Sequence, residues 1–288
     1  VRTQVPSFRL PQEVLDEEVN YILHMGVNCH FNQYVGSLKE MLGRGYDAIF
    51  IGTGAPRGRD LPDLPGRKEG DRFIHVGIYW LAAVLYRHID RIGKRVLVIG
   101  GGNTAMDCCR TARRLGGDKV KVVVRSPRAE MKASPWEIAD ALHEDIPIHD
   151  KLSPLEFVIN DGRLAGMLFE RVEGQVDDQG RRRLTATGEA PVFLPCDEVL
   201  LAIGQQNAFP WIEKDIGIEF GRNGLPVLHE TTHQSTLPRV FFGGSGEPLL
   251  HPRITQMVSE AKAAGASVEL ITNGTLLTPQ IADMLAES

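Results

Sequence analysis

The chain has 288 residues, enough for about two domains. Its apolar fraction of 42 % and charged fraction of 24 % are those of an ordinary globular protein, which excludes wholesale disorder. The formal net charge of −5 argues against a nucleic-acid binder, because such proteins present basic surfaces to phosphates.

Three further observations narrow the class of protein. The longest apolar run, at residues 78–85, is far shorter than the roughly 18 residues of a membrane span, so we expect no span. The chain starts with neither a signal peptide nor a Met, which suggests that it begins inside a longer protein. The cysteines form no CxxC pair, so we expect no metal site. We expect their thiols to be reduced and the protein to be cytoplasmic. The cysteines are Cys29, Cys108, Cys109 and Cys196.

Hydrophobic periodicity predicts the elements in chain order. The first fifty residues predict a helix between Pro11 and Gly26, a strand, a short helix and a buried strand at 48–51. Residues 57–71 are polar and rich in Pro and Gly, which is typical of a crossing between domains. The elements after that crossing are a helix at 77–92, a strand at 95–99, a helix at 104–115, a strand at 119–124, a helix from Pro135 to about 144, and a strand at 197–203.

Residues 155–194 show a different pattern, in which apolar and polar side chains alternate. Turn residues at 160–162 and 177–180 divide this stretch, which therefore predicts an antiparallel meander. Before it, Ser134, Pro135 and Glu137 are typical of a helix start, with Ser at the N-cap.

The glycine-rich sequence Gly100-Gly101-Gly102-Asn103-Thr104-Ala105 fits the G-x-G-x-x-A pattern of dinucleotide-binding turns. It follows a predicted strand and opens a predicted helix, whereas a second match at 43–48 precedes a strand. Gly100 permits the tight turn, Gly102 lets backbone approach the phosphates, and Ala105 lets the helix pack closely. Free N–H groups at the helix start, at Asn103 and Thr104, would face the anion. The alternative is an ordinary glycine-rich turn without a ligand.

The end of the next predicted strand bears on the choice between NAD and NADP. NAD-binding units usually place an acidic residue there for the ribose 2′-hydroxyl. This chain has Val124-Arg125-Ser126-Pro127-Arg128 instead, so Arg125 and Arg128 are candidate partners of a 2′-phosphate. NADP is favoured over NAD, with the alternative that both arginines are merely solvated.

Six motifs in a fixed order give the chain from Pro6 to about Gly244 a family resemblance. It resembles the NADPH-dependent small subunit of glutamate synthase and its flavoprotein relatives in the pyridine nucleotide-disulphide oxidoreductase superfamily. The motifs are Pro6-Ser7-Phe8-Arg9-Leu10-Pro11, the stretch 46–55, the stretch 98–107, Glu130-Met131-Lys132-Ala133-Ser134, Ala202-Ile203-Gly204-Gln205, and the stretch 239–244.

The resemblance implies an α/β flavoprotein that binds two dinucleotides. A Rossmann-like three-layer NAD(P)H domain at 73–205, containing the antiparallel meander, would be inserted in an FAD domain formed by 1–72 and 206–244. Further cofactor-binding positions implied by the match are Thr53, Gly54, Ile203, Gly204 and Gly244. Hydride would pass from NAD(P)H to FAD and onward to iron–sulfur centres or a partner subunit. The cofactors perform this chemistry, so no catalytic side chain is expected.

The chain also departs from this family. The family's first FAD phosphate-binding unit and its preceding iron–sulfur region are absent, and Ser245 stands where the family has an Asp that contacts the flavin. The FAD site is therefore expected to be incomplete in this chain. Residues 245–288 resemble an internal fragment of a radical-SAM enzyme, through Gly246-Glu247-Pro248 and the stretch 270–277.

The sequence leaves three alternative functions open. The first is an oxidoreductase module that passes electrons from NAD(P)H through FAD. The second is an NAD(P)H-binding module without retained FAD, and the third is a structural subunit of a redox complex.

Overall fold

The computed structural model describes residues 4–24, 28–176 and 182–243. Within them the α-helices are α1 (Gln12–His24), α2 (Leu38–Leu42), α3 (Gly77–Leu85), α4 (Asn103–Arg114) and α5 (Pro135–His143). The strands of the same residues are β1 (Ile49–Ile51), β2 (Arg57–Gly58), β3 (Ile74–Val76), β4 (Arg95–Ile99), β5 (Lys119–Val123), β6 (Ile148–His149), β7 (Leu152–Asn160), β8 (Arg163–Val176), β9 (Arg182–Ala186), β10 (Val192–Pro195), β11 (Glu198–Leu201), β12 (Gln205–Gln206) and β13 (Val240–Phe242).

The described residues divide into two compact units. The first contains 4–24, 28–31 and 57–206, and the second contains 32–56 and 207–243. The sequence instead groups 1–72 in one partial domain. The structure differs because the N-terminal segment is held by ion pairs from Arg9 to Asp107 and Glu137, which lie on α4 and α5.

A five-stranded parallel sheet forms the centre of the first unit. Its strand order is β3-β11-β4-β5-β6, and each neighbouring pair is parallel. Both faces of its central strand β4 are covered, which explains why the strand is apolar from Val96 to Ile99. Val96 and Val98 face a core formed with the helices, and Leu97 and Ile99 face a core formed with the antiparallel strands.

The antiparallel layer is built on the long strand β8. β7 and β10 flank β8, which also pairs with β9. Asp161 and Gly162 join β7 to β8 with φ angles of 50° and 72°, a left-handed pair that fits a tight hairpin. The sheet therefore lies between a helical layer and an antiparallel layer, and the predicted three-layer architecture is confirmed. The second predicted turn, at 177–180, lies outside the described residues.

Two predicted elements differ from the structure. The helix predicted at 77–92 ends at Leu85, because Arg87 adopts a φ of 59° and the His88 N–H donates to the Ala83 carbonyl, which closes the helix end. Among residues 28–37 no strand forms where the sequence suggests one before α2.

The second unit contains a short parallel pair of strands. β1 pairs with β13 in the register Ile49↔Val240 to Ile51↔Phe242. α2 packs against this pair through Leu38, which is fully buried. The two strands therefore end at one edge, followed by Gly52 and Gly243.

Within the described residues, no helix has both the length and the apolar character that crossing a bilayer requires. Residues 245–288, and with them the radical-SAM resemblance, lie outside the described residues, so that resemblance stays a prediction.

Candidate nucleotide-binding site

The glycine-rich turn lies where the carboxyl ends of β4 and β11 meet. Gly100 has a φ of 142°, and a Cβ on it would lie 2.2 Å from the Ala202 carbonyl oxygen. The Ala202 N–H in turn donates to the Ile99 carbonyl over 2.8 Å. Only glycine fits at position 100, and the turn is thereby placed against the residues that follow β11.

Gly102 occupies the N-cap of α4 and leaves the helix start open. A Cβ on Gly102 would meet no atom within 4 Å, and no side chain caps the helix. Among the described residues, no acceptor is found for the N–H groups of Asn103 and Thr104. Unpaired N–H groups at a helix start, beside open space, suit the pyrophosphate of a dinucleotide.

Ala105 and Thr104 complete the predicted motif. Ala105 is fully buried in the core between α4 and the sheet, as expected for a small residue that lets the helix approach the strand. Thr104 is half-buried in the first turn of α4.

The side chain of Asn103 is used within the protein. Its Oδ1 accepts a hydrogen bond from the Ser134 N–H at 2.8 Å, and its Nδ2 donates to Ser134 Oγ at 3.3 Å. Beside these bonds the Ala133 N–H donates to the Gly101 carbonyl at 3.0 Å. Ser134 is the N-cap of α5 as the sequence suggests, but its hydroxyl makes no capping bond to that helix. Asn103 therefore offers a ligand its backbone N–H.

The two candidate arginines follow β5. The side chains of Arg125 and Arg128 are exposed, and neither guanidinium has an ion pair or hydrogen bond within the described chain. The Arg128 backbone is held by its N–H bond to Asp150 Oδ2, at 2.9 Å. Two unpaired guanidinium groups near the strand end that flanks the turn suit a 2′-phosphate.

Ile203 and Gly204 follow β11. Ile203 packs against the core of the antiparallel side. Gly204 has a φ of 108°, and its carbonyl accepts from the Arg59 N–H at 3.0 Å. A Cβ on Gly204 would have only the Arg59 side chain nearby, at 3.8 Å, so the backbone here is accessible to a ligand.

The remaining predicted residues belong to the second unit. Thr53 and Gly54 follow β1. Gly54 has a φ of 69°, and no atom of the described residues would lie within 4 Å of a Cβ at this position. Gly243 follows the adjacent β13, where a Cβ would lie 2.1 Å from the Phe50 ring. Bare backbone at two neighbouring strand ends fits part of an FAD site. Gly244 lies outside the described residues.

A buried charge network that was not predicted from the sequence lies behind α4. Arg9 pairs with Asp107 and Glu137, whose side chains are each 5 % exposed, and Arg110 also pairs with Glu137. The Arg114 guanidinium lies 4.0 Å from the centroid of the Phe8 ring. Phe8 and Arg9 belong to the motif at 6–11, which is the sequence signal that could have indicated this network.

Burial sets the protonation of several groups on α4. It raises the pKa of Asp107 to about 6, an effect that the nearby Arg9 opposes. It also raises the pKa of Cys109 to about 12 and that of Cys108 well above its usual value. Neither thiol is a thiolate at neutral pH, so neither is suited to disulphide exchange.

Comparisons with known proteins agree with this geometry. The sequence model of the pyridine nucleotide-disulphide oxidoreductase family matches residues 32–266. The beta subunit of NADP(+)-dependent formate dehydrogenase from Moorella thermoacetica is 34 % identical, over 98 % of this chain and 40 % of its own length. The glutamate synthase [NADPH] small chain from Escherichia coli is 29 % identical, over 83 % of this chain and 54 % of its own.

A solved structure supports the fold. Mycobacterium tuberculosis FprA in complex with NADPH superposes with a TM-score of 0.68 at 16 % identity, covering 99 % of this chain and 79 % of FprA. The chain thus spans only 40 % and 54 % of the lengths of the two curated relatives above.

Proposed function

The chain belongs to the pyridine nucleotide-disulphide oxidoreductase family, whose members are NAD(P)H-dependent flavin oxidoreductases, and from this premise we propose that it passes electrons from NADPH through FAD to a partner. The observation that carries the proposal is the open start of α4. Gly102 provides space there, and the N–H groups of Asn103 and Thr104 have no acceptor among the residues that the structure describes. Such a helix start stabilises a pyrophosphate through its N–H groups and its dipole.

The selectivity for NADPH comes from the end of β5. Arg125 and Arg128 carry positive charge and have no partner among the described residues, so a 2′-phosphate would gain two charge-assisted contacts. No acidic residue stands at the strand end to favour the 2′-hydroxyl of NAD. We therefore place NADP above NAD as the cofactor of the first unit.

The chain's residues orient cofactors, and none has to act as an acid or base. Bound NADPH supplies a hydride and bound FAD accepts it, so the reaction's chemistry resides in the cofactors. Gly204 presents accessible backbone beside the turn, and Ile203 and Gly204 would contact the nicotinamide half. Thr53, Gly54 and Gly244 are the positions of the second unit that we assign to FAD.

The onward electron acceptor is proposed from the relatives. One relative is named as a subunit of formate dehydrogenase and another as the small chain of glutamate synthase. Both names describe one component of a larger enzyme, which favours a partner subunit or an iron–sulfur domain as the acceptor.

The test uses the purified chain incubated with FAD and then freed of unbound flavin. We expect a yellow protein whose visible flavin absorbance is bleached by NADPH without oxygen and restored by ferricyanide. A colourless protein that still binds NADPH in calorimetry would overturn the flavin part and leave a nucleotide-binding module. A protein that binds neither nucleotide would overturn the proposal and favour a structural subunit.

A further inference from the structure

A second loop, at residues 133–134, is hydrogen-bonded to the glycine-rich turn. Three hydrogen bonds join the two segments: Ser134 N–H to Asn103 Oδ1 at 2.8 Å, Asn103 Nδ2 to Ser134 Oγ at 3.3 Å, and Ala133 N–H to the Gly101 carbonyl at 3.0 Å. They join residues about thirty positions apart, and all four of these residues are half-buried or buried.

Ser134 stands at a helix N-cap but does not cap its own helix. Ser134 sits at the N-cap of α5 with extended-type angles, φ −59° and ψ 139°, yet its hydroxyl makes no bond to its own helix. A serine at an N-cap normally accepts from the N–H groups of its own first turn. Asn103 stands at the first position of α4, directly after the N-cap Gly102. Both side chains instead join the starts of the two helices to each other.

The chain between β5 and α5 thus connects two predicted phosphate contacts. Arg125 and Arg128 stand at its beginning, and Ala133 and Ser134 stand at its end against the glycine-rich turn. The beginning is held separately, because the Arg128 N–H donates to Asp150. The end therefore supports the pyrophosphate turn, and the beginning supports the 2′-phosphate contacts.

We propose that Asn103 and Ser134 are positioning residues that hold the N–H groups of the glycine-rich turn in place for the pyrophosphate of a dinucleotide. This inference rests on the proposed function. It assigns the Asn103 side chain to the neighbouring loop and leaves its backbone N–H to the ligand. A turn without these bonds would have to be ordered by the ligand, and that ordering would weaken binding.

The test compares three ligands by calorimetry: NADPH, NADH and adenosine 2′-monophosphate. The last carries the 2′-phosphate and lacks the pyrophosphate. We expect Asn103→Ala to raise the Kd of both dinucleotides by a similar factor of about tenfold, since two hydrogen bonds are lost. Its affinity for adenosine 2′-monophosphate should not change. A protein that merely loses stability would not separate these ligands.

Companion variants test the pairing itself. Ser134→Ala keeps the shorter bond, from the Ser134 N–H, and should raise the Kd for the dinucleotides only a few-fold. Ser134→Thr keeps the hydroxyl and should bind like the wild type. The variant with alanine at both Asn103 and Ser134 should have the same Kd as Asn103→Ala. Asn160→Ala, an exposed asparagine at the end of β7, is the control for the substitution type.

Each outcome has a distinct meaning. Unchanged dinucleotide binding by Asn103→Ala, fully additive losses in the double variant, or an equal loss for adenosine 2′-monophosphate would each overturn the inference. If the wild-type chain itself does not bind NADPH, the proposed function fails instead.

Discussion

Arg9 Nη1 donates a hydrogen bond to Asp107 Oδ2 over 2.7 Å, and this contact fastens the segment before α1 to the helix that begins at the glycine-rich turn. The same guanidinium places Nε 2.7 Å from Glu137 Oε1 on α5. One side chain therefore ties an N-terminal segment to both helices behind the candidate nucleotide site.

We expect Arg9→Ala to lower the free energy of unfolding by about 2 kcal/mol, because it leaves Asp107 as a buried carboxylate without its ion-pair partner. The loss stays below that of a fully buried pair because Arg9 is 25 % exposed and Glu137 retains Arg110. Urea denaturation at neutral pH measures it. Arg91→Ala, an exposed arginine in the same unit, should change the stability by well under 1 kcal/mol; equal effects of the two variants would show that Arg9 does not brace these helices.

Asp107 should make stability depend on pH. Because burial raises its folded pKa to about 6, above the unfolded value, the folded state holds the proton more tightly. Its contribution is therefore most favourable below the unfolded pKa and is lost as pH rises through about 6. We expect the wild type to lose on the order of 2 kcal/mol relative to Asp107→Asn between about pH 4 and pH 7.

Denaturation of the two proteins side by side measures this difference, since other carboxyl groups contribute equally to both. For example, burial acts to raise the pKa of Glu144, but hydrogen bonds and charge from Arg114 and Arg110 lower it below its usual value. The contribution of Glu144 to stability is therefore lost in the opposite direction, as pH falls. A wild type and an Asp107→Asn variant whose stabilities run parallel over this range would contradict the raised pKa.

The sequence predicts the first unit's architecture well because its signals are local. β4 is a short apolar run after Arg95, the valines of β5 are buried, and the helix between the two strands has an apolar stripe that includes Ala105 and Ala112. The roles of Gly100 and Gly102 could also be predicted, because the turn stands between a predicted strand and a predicted helix.

What the sequence could not predict depends on contacts between distant residues. The pairing of Arg9 with Asp107 spans 98 positions, and nothing in the composition of either segment specifies it. The bonds of Asn103 to Ser134 similarly replace a local cap with a contact 31 positions away. The early end of α3 has another cause, because Arg87 adopts a left-handed φ of 59° that is unusual for a residue other than glycine.

Two glycines of the same turn should respond to substitution in opposite ways. Gly102 has φ −103° and ψ 175°, which any residue tolerates, and open space at its Cβ position. We expect Gly102→Val to keep the fold and to raise the Kd for NADPH by about a hundredfold, because the side chain fills the space that the phosphates approach. Calorimetry and the melting temperature together check this.

Gly100→Ala is the matched variant. Its Cβ would lie 2.2 Å from the Ala202 carbonyl at a φ of 142°, so we expect it to destabilise the fold by about 2–4 kcal/mol. If Gly102→Val bound NADPH like the wild type while folded, the pyrophosphate would lie elsewhere. If Gly100→Ala were as stable as the wild type, the close approach of the turn to Ala202 would be wrong.

Charge reversal at the end of β5 should separate the two nicotinamide cofactors. Arg125 and Arg128 have exposed guanidinium groups without a partner within the described chain, so their loss removes no internal contact. We expect Arg125→Glu and Arg128→Glu each to raise the Kd for NADPH by about tenfold or more, through the lost attraction for the 2′-phosphate, and to leave the Kd for NADH nearly unchanged. Raising the salt concentration should shrink the effect on NADPH, because exposed charges are screened.

Arg163→Glu, a charge reversal at the start of β8, controls for net charge. Equal losses for NADPH and NADH would contradict a 2′-phosphate contact and leave the pyrophosphate turn as the source of affinity.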